Sequence, residues 1–178
     1  PTPTNFSYGY AKRSMAVQID ACNKQYGTNY QYLIPCNLYG FGDKAGDNAH
    51  FIGALMEKVH NAKINGDDHI MLWGTGFPLR QFMLTDDFCQ IIYKCVEENV
   101  YESMNVAIEE NLTIHKMAET ALKAMNAEHL EIKFDSTKPD GQYRKDVSIE
   151  KLKKQFPDWS ATSLEEGIKK TYNEQYKS

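Results

Sequence analysis

Apolar residues recur along this chain at two different periods, and the alternation between them predicts a mixed order of helices and strands. Tyr8, Ala11, Met15, Ile19 and Cys22 fall three and four residues apart, one helical stripe running from a cap at Asn5 to about Tyr26, with Gly27 as a stop. Tyr30 to Cys36 reads as a strand that Pro35 should end or confine to a sheet edge. Asn37 to Asn48, with Gly40, Gly42 and Gly46, is expected to be loop, and a second helix should run from about Ala49 to Ile64, where Asn65-Gly66 ends it. Ile70 to Trp73 predicts a short strand, followed by the turn Gly74-Thr75-Gly76-Phe77-Pro78 and another short strand at Gln81 to Leu84. Thr85-Asp86-Asp87 opens a helix through about Val96, its acids suited to the positive helix end. Met104 to Ile108 is strand-like, Thr113 caps a helix to about Met125, and Leu130 to Phe134 alternates as a half-buried strand does. Ser136 to Arg144 should be loop. Two short helices begin near Ser148 and Ser163, the second with the Ser163/Glu166 spacing of a capping box.

This order implies an α/β fold whose early strands belong to a larger sheet, with a smaller α/β lobe late in the chain. No repeat, low-complexity stretch or long linker interrupts it. The 178 residues suffice for a real core, and 42% hydrophobic with 25% charged residues is an ordinary globular balance. A net charge of −4 argues against a nucleic-acid surface. No apolar run approaches the ~20 residues that cross a bilayer, and Pro1-Thr2-Pro3-Thr4-Asn5 is not a secretory leader. Cys22, Cys36, Cys89 and Cys95 form no CxxC pair and no zinc spacing with histidine, so reduced thiols and no metal are expected. GxGxxG does not occur, and the opening residues read like the interior of a longer chain.

The candidate chemistry begins with Tyr8 and Lys12. Four residues apart on a helix, they share one face and one small volume. A free tyrosine has a pKa near ~10, too high for ready proton exchange at neutral pH. A nearby ammonium favours the phenolate, and a tyrosine so tuned can give a proton to a carbonyl oxygen while hydride reaches the carbon. Tyr10 has Ser14, not a cation, four residues on. Taken alone, a Tyr/Lys pair at this spacing is as well explained by a surface contact.

The motifs that follow change that balance. Tyr8-Gly9-Tyr10-Ala11-Lys12, then Pro35-Cys36-Asn37-Leu38-Tyr39-Gly40, then Trp73-Gly74-Thr75-Gly76 with Arg80-Gln81-Phe82, resemble in order the extended short-chain dehydrogenase/reductase superfamily, whose cofactor domain is Rossmann-like. Lys138-Pro139-Asp140-Gly141-Gln142-Tyr143-Arg144-Lys145 narrows the resemblance to the GDP-L-fucose synthase family. That resemblance implies an NADP(H)-dependent enzyme taking GDP-4-keto-6-deoxy-D-mannose to GDP-L-fucose by 3,5-epimerisation and 4-keto reduction. It implies Tyr8 and Lys12 as the reductase pair, and His50, in the context Ala-His-Phe-Ile-Gly-Ala-Leu, as the epimerisation acid. The nicotinamide side of the cofactor would meet Lys12, Pro35, Cys36, Asn37, Leu38 and His50. The GDP-sugar would meet Lys58, Trp73, Arg80 and Asp140, Arg80 offering a planar fork suited to a diphosphate.

Each of these residues also has a plainer reading: a capping or core histidine at His50, a solvated helix face at Lys58, a core aromatic at Trp73, a Pro-Asp-Gly turn at Asp140. The chain departs from the family pattern with Phe41 after Gly40, Cys36 where threonine is usual, and Lys58 where some relatives carry arginine. The resemblance places the glycine-rich phosphate loop, the keto-binding serine and the epimerisation cysteine upstream of Tyr8. Residues 1–110 would then be the remnant of a Rossmann-like domain and 111–178 a small substrate lobe. The fragment alone should be inactive, and its parent a cytoplasmic homodimer. A non-catalytic nucleotide-sugar-binding module, or a keto-sugar reductase or epimerase acting on another nucleoside diphosphate sugar, are the other readings.

Overall fold

The computed structural model describes residues 5–43 and 49–176. Helix α1 (Phe6–Tyr26) is followed by β1 (Leu33–Pro35), β2 (Asn37–Tyr39), α2 (Phe51–Asn65), β3 (His69–Trp73), β4 (Leu79–Arg80), β5 (Phe82–Leu84) and α3 (Thr85–Glu97). Then come β6 (Met104–Val106), β7 (Leu112–Thr113), α4 (Ile114–Ala124), β8 (Glu131–Asp135), β9 (Arg144–Lys145), α5 (Glu150–Gln155) and α6 (Leu164–Tyr176). Strands β1–β6, β2–β5 and β3–β8 pair in parallel, as the crossover helices between them require. β4 lies between antiparallel β7 and parallel β9. The α/β class is as the sequence implies.

Several boundaries differ from the sequence expectation. Asn37 to Tyr39 is strand, not loop, because it pairs in register with Phe82–Leu84. Pro35 does end β1, as expected, although the next residue, Cys36, still donates its N–H to the Val106 carbonyl at 3.0 Å. β4 and β9 are two-residue strands that local pattern does not signal. Asn5 stands at the N-cap of α1 but makes no side-chain capping bond. Gly46 and its neighbours in the expected 37–48 loop lie outside the described residues. The stops and caps elsewhere follow the sequence. Gly27 and Gly66 are left-handed C-caps with φ of 64° and 73°. Thr113 accepts from the Lys116 N–H, and Ser163 Oγ accepts from the Glu166 N–H while donating to the Glu166 carboxylate, a side-chain variant of the expected capping box.

Two apolar clusters hold the molecule. One packs α2, α4 and α6 against β3 and β5 around Ile52, Leu55, Met56, Met117, Leu122 and Ile168. The other joins Met83, Ile91, Cys95, Val106, Leu152 and Phe156. Both draw residues from before and after position 110, so the late elements share their cores with the early ones. Helix α1 stands apart, with no buried residue along its 21 positions. Its C-terminal end is tied down by Asn23, whose Oδ1 accepts from the Thr28 hydroxyl and the Tyr30 N–H at 2.8 and 3.0 Å. No helix among the described residues is long and apolar enough to cross a membrane, and none of their His, Cys, Asp and Glu side chains cluster in threes as a metal site would need.

Candidate active site

A cleft of about 960 Å³ lies between α2, the β3–β4 turn and the loop before β9. Asn37, Leu38, His50, Lys58, Trp73, Arg80 and Asp140 all line it. Seven residues singled out from five separate sequence segments are thereby brought together. Tyr8, Lys12, Pro35 and Cys36 are not among its lining residues.

Helix α2 supplies one wall. His50 occupies its N-cap with extended backbone, and its carbonyl accepts from the Ala54 N–H at 2.9 Å. The imidazole makes no capping bond and is exposed, which removes both the capping and the core readings of this residue. Two turns further on, Lys58 stays exposed while its Nζ donates to the Met71 carbonyl of β3 at 2.6 Å.

Strand β3 supplies the next wall by alternation. Ile70 and Leu72 are buried, so Met71 and Trp73 face outward, and Trp73 is 69% exposed. Trp73 is therefore not a core aromatic. The Lys138 ammonium sits 5.7 Å from the centre of its ring, a cation–π contact that draws the 136–143 loop over the indole. That loop is fastened by Asp140. One carboxylate oxygen accepts from the Thr75 N–H at 2.6 Å and the other from the Thr75 hydroxyl at 2.7 Å. Gly74 has φ of 86°, and a Cβ there would overlap the Asp140 carboxylate, so only glycine admits the clasp.

These two bonds from Thr75, with a smaller contribution from Arg80, hold the Asp140 carboxyl below its ordinary value. A lowered folded-state value stabilises the clasp above the unfolded carboxylate range near ~3.9 and is lost as pH falls through the folded value. The Thr75 amide should accordingly stay protected from hydrogen exchange through mildly acidic pH and lose protection only below the ordinary carboxylate range, as amide NMR across a pH series would record. Asp140→Ala should remove that protection at every pH.

Arg80 points into the cleft from β4, its Nη1 donating to the Leu79 carbonyl at 2.7 Å. Burial pulls its pKa down and Asp140 opposes this, but an arginine so placed keeps its charge. Asn37 is anchored through Nδ2 to the Gln81 carbonyl at 2.8 Å, fixing β2 beside β5. Behind the cleft, Cys36 is a thiol whose pKa is raised, chiefly by burial. That disfavours thiolate chemistry and suits a packing role.

On α1, the Lys12 Nζ lies 5.7 Å from the centre of the Tyr8 ring, so the pair shares one face as its spacing predicts. Both side chains are exposed, with Tyr8 at 63%.

Sequence reasoning missed three contributors. Gln81 is buried and bridges segments far apart in sequence, donating to the Ile108 carbonyl at 2.7 Å and accepting from the Val147 N–H at 3.1 Å. Glu57 and Asn61 line the cleft beside Lys58. Their one available signal was position: one before and three after Lys58, on the helix face that Ala54 also shares.

Residues 1–107 match the NAD dependent epimerase/dehydratase family. The chain is similar to the GDP-L-fucose synthase of Dictyostelium discoideum, 36% identical over 177 residues, covering 96% of this chain and 54% of that protein. It is 32% identical over 181 residues to the GDP-L-fucose synthase of Escherichia coli (strain K12), covering 96% of this chain and 56% of that one. Among solved structures, a GDP-L-fucose synthetase from Naegleria fowleri bound to NADP superposes with a TM-score of 0.86 at 28% identity, covering 97% of this chain and 56% of that one. A UDP-N-acetylglucosamine 4-epimerase from Methanobrevibacter ruminantium M1 shares the fold, with a TM-score of 0.78 at 19% identity over 93% and 52% of the two chains. The chain spans about half the length of the curated relatives it matches.

Proposed function

Because the chain belongs to the NAD dependent epimerase/dehydratase family, we propose that it forms the sugar-nucleotide end of an NADPH-dependent epimerase-reductase that converts GDP-4-keto-6-deoxy-D-mannose to GDP-L-fucose. The observation that carries this reading is the convergence of His50, Lys58, Trp73, Arg80 and Asp140 on one cleft. Residues 1–110 are then read with a Rossmann-like domain and 111–178 with a substrate lobe, the two sharing their cores.

The residues present fit the nicotinamide end of NADP(H) and not its phosphates. Asn37 and Leu38 offer an anchored amide and a branched apolar side chain in the same cleft lining as His50, suited to the face of a planar ring. No GxGxxG loop occurs to cradle a pyrophosphate. Pro35, Cys36, Asn37 and Leu38 would face the ring, and Lys12 would hydrogen-bond the ribose; bound there, the cofactor supplies hydride.

The protein's own groups then divide the work. Arg80 and Lys58 hold the diphosphate, so that binding energy far from the reacting carbon positions the sugar. Asp140 contributes by holding the turn at Thr75, which sets the Trp73 wall. Once a base that the family resemblance places outside these residues has taken one proton each from C3 and C5 of the keto sugar, His50, with its imidazole exposed and uncommitted to capping, returns one to each carbon. Tyr8 donates to the C4 oxygen, stabilising negative charge there during epimerisation and completing the alcohol during reduction.

A second reading, a nucleotide-sugar-binding module without turnover, is favoured by one observation: Tyr8 and Lys12 stand on a helix with no buried residue, outside the cleft lining. Calorimetric titration of GDP and of NADPH into the chain, with a turnover assay on the keto sugar, separates the readings. The expected result is saturable GDP binding, much weaker NADPH binding, and turnover only when a nucleotide-binding half is supplied. Turnover never appearing with that half present favours the module, and a chain that does not bind GDP sinks both.

A further inference from the structure

Strand β8 ends its sheet, and it alternates charged with apolar residues: Glu131-Ile132-Lys133-Phe134-Asp135. Ile132 and Phe134 pack against the first apolar cluster, so Glu131 and Lys133 stand together on the outer face, their charged groups 3.3 Å apart. Pairing with β3 fixes which backbone groups are used. The Glu131 N–H donates to the Asp68 carbonyl at 2.9 Å, and the Asp135 carbonyl accepts from the Gly74 N–H at 3.0 Å. Alternate residues of a strand turn to the same neighbour, so residues 131, 133 and 135 face β3. The N–H and C=O groups of Ile132 and Phe134 turn to the opposite edge, where no strand pairs among the described residues. Leu130 and Ile132 also line an open groove of about 690 Å³ against α4.

An unpaired edge is a template for another strand, and charges on it commonly keep other strands away. The charges of β8 exclude most strands but complement their own sequence. Let a second copy run antiparallel with Ile132 on the two-fold axis. Ile132 then exchanges both backbone bonds with the partner's Ile132, and Glu131 lies opposite the partner's Lys133, twice by symmetry. Opposite charges directly across a ladder attract and like charges repel. Moving the axis to Lys133 sets lysine against lysine and Glu131 against the partner's Asp135. Moving it to Phe134 carries the ladder into the turn after Asp135, where the Lys138 N–H returns to the Asp135 carbonyl and Thr137 already occupies the Asp135 carboxylate.

We propose that the free edge of β8 is a docking surface for a second copy of this chain, joined antiparallel about Ile132 into a four-stranded sheet with a β3 on each outer side.

The test is sedimentation velocity of the 178-residue chain over a concentration series, with Glu131→Lys and Lys133→Glu prepared singly, mixed and combined in one chain. The unaltered chain should show a monomer–dimer equilibrium that added salt weakens. Either single substitution sets like charges across both symmetry-related pairs and should weaken the dimer about tenfold or more. The combined Glu131→Lys/Lys133→Glu chain should dimerise as the unaltered chain does. An equimolar mixture of the two single variants should do the same, because each carries the charges the other lacks; that recovery also shows that both fold. An unaltered chain that stays monomeric throughout the series overturns the proposal. So does a dimer indifferent to both single substitutions, or a loss that neither the combined chain nor the mixture recovers.

Discussion

Replacing Tyr8 by phenylalanine in a complete enzyme containing this chain is expected to cut reduction of the keto sugar by ~10²–10⁴-fold, the range of a positioned proton donor. The substitution removes one oxygen and keeps the ring. Tyr8 is exposed and packs into neither apolar cluster, so stability should hardly change. The residues that line the cleft come from other elements, so KM for the sugar nucleotide should be unaffected and the loss should fall on kcat. Lys12 stands on the same face of the helix, its ammonium 5.7 Å from the ring centre. A loss confined to KM, or a normal rate of reduction, would falsify the proton-donor role and assign it to another group.

The second large effect concerns stability. Gln81→Leu keeps nearly the same volume but deletes an amide that is 3% exposed. The Ile108 carbonyl then loses its donor and the Val147 N–H its acceptor. A backbone group left without a partner costs about 1–3 kcal/mol when buried, and both of these bonds are half-buried, so the unfolding free energy should drop by ~1–3 kcal/mol. Against a total of ~5–15 kcal/mol, that is a visible shift of the urea midpoint. The backbone carbonyl of residue 81 that holds Asn37 survives the substitution, so GDP affinity should weaken only through displacement of Arg80 and Phe82, which flank residue 81 in the cleft wall. A midpoint that barely moves would mean that water enters and satisfies both groups.

Much of this protein is legible without coordinates because its signals are local. Thr113, Ser163 and the glycines at 27 and 66 mark helix ends by bonds or backbone angles set within a few residues, and the structure places them there. Parallel pairing follows from strands separated by helices. The order of short motifs was enough to point to the family, although it could not say which of them share a cleft.

What local pattern could not supply depends on partners distant along the chain. β2 is strand only because Asn37–Tyr39 meets Phe82–Leu84, and two-residue strands such as β9 exist only through their neighbours. Alternation along β3 marks two faces but not which one is core; packing against α2 decides that and leaves Trp73 outward. Asp140 reads in sequence as a turn residue or a ligand, yet its oxygens close on Thr75, 65 positions earlier. Gln81 belongs to a motif the sequence shows, yet its bridging role has no local signal, since a polar residue there looks ordinary until burial forces every donor and acceptor on it to find a partner. The amino-acid order by itself determined the helices, most of their ends and the chemical types available. The tertiary structure alone decided which side chains meet, because contacts between distant segments are set by the summed burial of two cores and not by any run of neighbouring residues.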